Sequence, residues 1–174
     1  MAAFVAGLAA WTFVEYVIHA WLSHRFQTFA TPFHQGHHRD PHNVFAIRTW
    51  LPLILIWITA CALWGFATGV IFFTGVLSGF AIYEWLHYRI HFVLPRSRWE
   101  AWLRTRHLIH HAQTDGRGFG VTSSVWDRVF GTDLADRDLQ RFGATAAATP
   151  PLDGRTNVRK ILCLYLAPSP VRSN

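Results

Sequence analysis

Charge is what this sequence has least of. Only 15% of its 174 residues are Asp, Glu, Lys or Arg, where a soluble domain carries about 25%. The deficit is local: residues 1–24 contain no Lys or Arg, and neither does the stretch from Thr49 to Tyr88. That distribution excludes an ordinary soluble surface and assigns part of the exterior to lipid. It also excludes nucleic acid as a partner, despite the net charge of +6, because nucleic-acid binders carry basic runs in polar surroundings. Here all sixteen basic residues lie in 25–48 or 89–174 and flank two apolar segments, the positive-inside pattern. Cysteine is scarce too. Cys61 and Cys163 make neither a disulfide framework nor a metal motif, and Cys61 reads as a packing residue. Nothing resembles a haem, flavin or nicotinamide site, and no repeat exists beyond the histidine clusters.

The apolar segments define the organisation. Residues 2–22 lack the basic n-region and cleavage site of a signal peptide and predict a membrane helix ending near His24. Thr49 to Tyr83 is 35 residues without a charge, about 52 Å as one helix and too long for a hydrocarbon core of about 30 Å. Gly65 and Gly69 divide it into limbs near 50–64 and 70–86, each slightly short for a span, so a tight hairpin is expected. Trp21, Trp50 and Trp85 mark the interface. Residues 97–112 predict a surface helix with Trp99, Trp102, Leu103 and Leu108 on its apolar side and Arg98, Arg104 and Arg106 outside it. The segment 158–167 reads as a short surface helix or strand. The expected fold is an all-α integral membrane helical protein with one N-terminal span, a central transmembrane hairpin and a cytosolic histidine-rich helical cap. Residues 1–142 form the membrane-embedded domain. Residues 143–174, which open on the low-complexity run ATAAATPPLDG, are expected to be a flexible linker and C-terminal tail.

Histidine is what the chain has in excess. Ten of its eleven fall in four clusters: His19 and His24; His34, His37 and His38; His87 and His91; His107, His110 and His111. Helical residues three and four apart share a face, so the last three clusters can each aim at one place. His19 and His24, five apart, stand about 140° apart on a straight α-helix. They must serve different ions, or the helix must loosen between them. The topology brings all four clusters to one membrane face. Ten imidazoles exceed one ion's capacity and match two ions with five nitrogens each; such ligation suits iron better than structural zinc, which takes four ligands and usually includes Cys. Zinc can occupy the same ligands. Bound imidazoles need acceptors for their other N–H: Glu15 lies four residues before His19, Glu84 three before His87, and Asp127 can orient the last cluster. Asp40 and Asp115 are further candidates, while His42 reads as a surface residue.

The motifs HAWLSH, HQGHH, HYRIH and HLIHH, in this order around an apolar hairpin, resemble those of the fatty acid hydroxylase/sterol desaturase superfamily over roughly residues 12–133. FHQGHHRDP, EWLHYRIHF and GFGVTSSVWDRVFGT look most like its fatty acid 2-hydroxylase branch. The resemblance implies an oxidoreductase in which the ten clustered histidines hold two iron ions and O2 is the co-substrate. It implies a membrane lipid substrate, a fatty acyl chain hydroxylated beside its carbonyl. The electron donor is external, of ferredoxin or cytochrome b5 type with a reductase. The location is a bacterial inner membrane or the endoplasmic reticulum, with the metal site on the cytoplasmic face. The chain tail is expected among Phe72, Phe73 and Phe80, with Arg89 or Arg96 near the headgroup. Three departures stand out: Asn43 replaces an acidic residue, the gap between His24 and His34 is short, and three spans are expected where relatives often have four.

Two alternatives use the same residues. One is a desaturase or hydroxylase of a sterol or carotenoid, although carotenoid hydroxylases generally place four residues between the histidines of the third motif, and HYRIH has three. The other is a non-enzymatic membrane metal-binding protein. A transporter places polar ligands near the midplane, whereas no histidine lies between Thr49 and Leu86.

Overall fold

The computed structural model describes residues 1–44, 51–112 and 116–152. Among these, all regular structure is helical: α1 (Ala2–Tyr16) runs without a break into a π-helical segment (Val17–Arg25), followed by α2 (Thr31–Arg39), α3 (Pro52–Trp64), α4 (Phe66–Phe92), α5 (Arg98–Ala112), α6 (Val125–Val129) and α7 (Asp136–Ala148). Two helical stretches, Ala2–Arg25 and Phe66–Phe92, are long and apolar enough to cross a membrane. Only 33% of the most apolar 18-residue stretch of the first and 28% of that of the second is buried. Core helices of a soluble protein would be mostly covered. These instead expose Val5, Phe13, Ile71, Leu77 and Ile82, as lipid-facing helices do. The chain is an integral membrane protein.

The hairpin turns at one residue. Gly65 sits at φ 79°, a region glycine enters freely and other residues avoid. Gly69, expected to help divide the hairpin, is instead inside α4, where a Cβ would strike the backbone of Ala60 and Cys61. The second limb is therefore a full 27-residue helix rather than a short one, and only α3 is short, at 13 residues.

Helices α1 and α4 run parallel and in close contact. A Cβ on Gly7 would strike the Phe72 carbonyl, one on Gly75 the Phe4 carbonyl, and one on Gly79 the Trp11 side chain. Small residues permit this approach, which drives helix association in lipid. Trp11 then packs its ring against Phe80 at 5.5 Å and Tyr83 at 5.7 Å. Because the two helices run the same way, their C-terminal ends, with His19 and His24 on one and His87 and His91 on the other, emerge side by side.

Two expectations change. Arg104 and Arg106 lie inside the protein, 3% and 2% exposed, while Trp99 is 52% exposed. Arg104 Nε donates to the Ile90 carbonyl at 2.9 Å. Arg106 pairs with Asp127 at 3.4 Å and Asp133 at 2.7 Å. Buried acceptors thus outweigh the apolar stripe in setting the rotation of α5. Helix α7 also runs across the boundary expected after residue 142 and continues to Ala148: alanine, which makes the run look low in complexity, is the best helix former. At its start the Asp138 carboxylate accepts from the Ala135 N–H. Trp50, Cys163 and the segment 158–167 lie outside the described residues.

The α1–α4 contact is testable. Gly75→Leu should destabilise the protein by about 2 kcal/mol or more through overpacking, read as a lower midpoint of thermal unfolding in detergent. Gly36→Ala, whose Cβ meets nothing within 4 Å, should hold the midpoint level or raise it. Equal stability of Gly75→Leu and parent would mean that the helices do not touch there.

Candidate metal centre

The helix that carries the first two histidines does loosen. From Val17 to Arg25 it is a π-helix, in which the ladder runs i to i+5. The Phe26 N–H donates to the Trp21 carbonyl at 2.8 Å, and the Ser23 hydroxyl donates to the Ile18 carbonyl at 2.8 Å. Residues five apart thereby come to one face. The rings of His19 and His24 stand 5.4 Å apart and point into one group.

Ten imidazoles form two adjoining groups. His19, His24, His34, His38 and His110 offer one nitrogen each to the first group, and His37, His87, His91, His107 and His111 to the second; within each, the nitrogens lie within 4.8 Å of one another. The two HxxHH motifs are split between the groups rather than each converging on one place. On an α-helix, neighbours i and i+1 are about 100° apart. His34 and His38 therefore share a face while His37 looks aside, and His107 and His111 share a face while His110 looks aside. The groups abut where the His38 and His111 rings stack at 4.2 Å. His42 joins neither; its Nδ1 lies 2.9 Å from Asp40, whose side chain is half exposed. Asp115 lies outside the described residues.

These contacts fit cations rather than hydrogen bonds. The Nε2 of His34 lies 3.1 Å from that of His19 and 2.8 Å from those of His24 and His38. The Nε2 of His107 lies 3.0 Å from those of His87, His91 and His111. A neutral imidazole nitrogen offers one proton or one lone pair, so three such neighbours cannot all be hydrogen-bonded to it. Donors at right angles, each about 2.1 Å from one ion, lie about 3.0 Å apart, whereas tetrahedral donors lie about 3.4 Å apart. The observed edges match the first case. Burial keeps the rings neutral, the state in which they ligate. It holds His37 down at about 4 and His110 at about 3. Burial and then repulsion between neighbouring imidazoles depress His34, His38, His107 and His111.

The loop 117–122 orients the first group. Nδ1 of His110 lies 2.9 Å from the Arg117 carbonyl, and the Phe119 ring stands edge-on to His19 at 5.6 Å. A carbonyl, not a carboxylate, stands behind the His110 ring. Glu15 and Asp127, expected beside histidines, act instead on the loop. Glu15 Oε1 accepts from the Val121 N–H at 2.6 Å and the Thr122 N–H at 3.0 Å, and Oε2 accepts from the Thr122 hydroxyl. Asp127 accepts from the Phe119 and Gly120 N–H groups, both at 2.9 Å, and from the Thr132 hydroxyl. The loop's amides form an anion-holding edge that neither residue's helical spacing reveals. Glu84 is half-buried one turn before His87 on α4. Arg106, Thr122 and Thr132 carry no sequence signal of their own, though SVWDRVFGT points to their neighbourhood.

The fatty acid hydroxylase family model matches residues 4–132, a span that holds all ten clustered histidines. The chain belongs to the fatty acid hydroxylase family. It is 31% identical over 137 residues to a dihydroceramide fatty acyl 2-hydroxylase of Arabidopsis thaliana, covering 72% of this chain and 58% of that one. It is 34% identical over 146 residues to the ceramide very long chain fatty acid hydroxylase scs7 of Schizosaccharomyces pombe, covering 75% and 42%. A solved structure described as full-length scs7p, with only the hydroxylase domain visible, superposes with a TM-score of 0.68 at 27% identity, covering 87% of this chain and 58% of that one. This fatty acid hydroxylase chain thus spans about half the length of the relatives it matches.

In this fatty acid hydroxylase family member a cavity of about 740 Å³ opens beside the first group, with His24 in its wall among Tyr16, Trp21, Phe26, Phe119 and Phe130. It is not where the sequence places a substrate tail: Phe72, Phe73 and Phe80 pack against the core. Nor is Arg89 free for a headgroup, since it pairs with Glu100 at 2.8 Å.

The geometry makes two predictions. Protein purified anaerobically should hold two metal ions per chain by elemental analysis, and His110→Ala should retain the second group's ion while losing the first. Parent protein with one ion or none would contradict two centres. Metal-free protein should lose stability on acidification. Unfolded His37 and His110 take up protons near the ordinary 6.5 while the folded rings resist to about 4 and about 3. Between those limits the unfolded state binds more protons, so unfolding free energy falls as pH falls. A flat profile from pH 7 to 4 would show the rings to be solvated.

Proposed function

We propose that the chain is an O2-dependent dimetal hydroxylase of a membrane lipid, with two iron ions held by the two histidine groups and a fatty acyl chain as substrate. One observation carries this reading: two abutting groups of five imidazole nitrogens, the first of them bordering an aromatic cavity through His24, in a chain of the fatty acid hydroxylase family. The names of the relatives, which specify fatty acyl and ceramide hydroxylation, support the substrate class. When bound, the ions supply O2 activation and C–H oxidation, chemistry no side chain here performs alone.

The chain's own residues do the rest. His19, His24, His34, His38 and His110 hold one ion, and His37, His87, His91, His107 and His111 the other. The carbonyl of Arg117 fixes the His110 ring, which sets its Nε2 toward the ion. Glu15 and Asp127 hold the loop that presents this carbonyl. The aromatic wall excludes water around the chain to be oxidised. Electrons come from an external donor of ferredoxin or cytochrome b5 type with its reductase. The histidine end faces the cytoplasm, because all sixteen basic residues lie in the segments beyond that end of the spans.

The test is lipid analysis of cells expressing the parent or His110→Ala with an active reductant system. The parent should add lipids heavier by one oxygen atom, and the variant should not. Lipids lighter by two hydrogens would make the chain a desaturase. Identical lipid profiles for both proteins would overturn the enzyme reading.

A further inference from the structure

We propose that the cavity beside His24 receives an acyl lipid with an anionic headgroup, and that Arg25 is the residue that holds it. The proposal rests on the hydroxylase reading for the acyl nature of the ligand; the charge of the headgroup is argued from the cavity itself.

The cavity is apolar over most of its wall and has a volume in the range of small-molecule sites, about 300–1,000 Å³. Its polar groups are few and unequal. The Thr132 hydroxyl donates its only proton to Asp127 at 2.9 Å, so in the contact between Tyr16 and Thr132 at 3.0 Å the tyrosine is the donor. Both hydroxyl protons are thereby directed into the wall. Arg25 also lines the cavity, and no carboxylate does so among the described residues. The guanidinium of Arg25 lies over the Phe26 ring at 5.9 Å and makes no ion pair among the described residues. Arg89, Arg104 and Arg106, by contrast, are engaged by a carboxylate or a carbonyl. Among the described residues the cavity therefore offers, at an exposed part of its wall, a planar fork of donors with no carboxylate paired to it, which suits a carboxylate or a phosphate. A neutral amide would leave the guanidinium charge unmatched. Position adds a second argument. Arg25 and His24 line the same cavity, so an anion on Arg25 sets the first carbons of its chain beside the first histidine group.

A cation here also suits the membrane boundary, but lysine would serve that purpose equally, whereas a two-pronged grip needs arginine. The experiment uses this difference. The full-length, metal-loaded protein in a neutral-headgroup detergent is titrated with palmitate, hexadecyl phosphate and palmitamide against a displaceable fluorescent acyl probe. The parent should bind one or both anions at least about tenfold tighter than palmitamide. Arg25→Gln should lose about that factor for the anions and keep palmitamide within about twofold, and Arg25→Lys should recover only part. Preference for palmitate assigns a carboxylate, and preference for hexadecyl phosphate assigns a phosphate lipid. Palmitamide binding the parent as tightly as palmitate would overturn the proposal, as would equal weakening of all three ligands by Arg25→Gln. Should Arg25→Gln fail to fold, added salt decides on the parent: it should weaken anion binding and not palmitamide binding. Product analysis of the same protein and ligands, supplied with O2 and an active reductant system, keeps the two readings apart. Anion-selective binding with no oxygenated product would sink the hydroxylase and leave Arg25 standing, and oxygenated product without anion selectivity would do the reverse.

Discussion

Five imidazole nitrogens brought edge to edge repel one another unless positive charge sits among them, and this chain performs that convergence twice. Water cannot relieve the repulsion, because His19, His37, His87, His91, His107 and His110 are buried. The arrangement persists because the scaffold fixes the helices that carry the rings, and in one case, His110 against the Arg117 carbonyl, the ring itself. The parallel α1–α4 contact, closed by Gly7, Gly75 and Gly79, brings two pairs of histidines to one end. Helices α2 and α5 bring the other six.

Neither α2 nor α5 belongs to one centre. Each sends two rings to one group and a third to the other, so a rotation of either helix that improved one set of ligands would spoil the other. That constraint explains why so much buried polar bonding serves α5 and the loop after it. Arg104 ties α5 to the end of α4, Arg106 ties it to Asp127, and Asp127 with Glu15 holds the loop that backs His110 and His19. Removing one member of such a network leaves its partners buried without acceptors, which costs more than the bond itself contributes.

Much of this is legible in the sequence. The apolar runs and the placement of Lys and Arg disclose the membrane helices and one common histidine face, and the four motifs disclose the ten rings. What escapes depends on backbone detail. The partition of each HxxHH motif follows from 100° per residue but is hidden when three histidines are read as one cluster. Glu15 and Asp127 stand out near the site because buried carboxylates are costly, yet their partners are amides more than a hundred residues from Glu15 and eight or fewer from Asp127. The rotation of α5 is hidden because arginine ordinarily reads as a surface residue, and the extent of α7 because a run of alanines reads as filler.

The π-helical segment gives a meaning to motif spacing itself. In HYRIH three residues separate the histidines, and the helix beneath is an ordinary α-helix; in HAWLSH four separate them, and the backbone is underwound to match. The interval between paired ligands is thus a gauge of the local pitch. Lengthening or shortening the first motif by one residue would demand a different ladder of carbonyls beneath it, so that interval is bound to the backbone and cannot drift as loop lengths do.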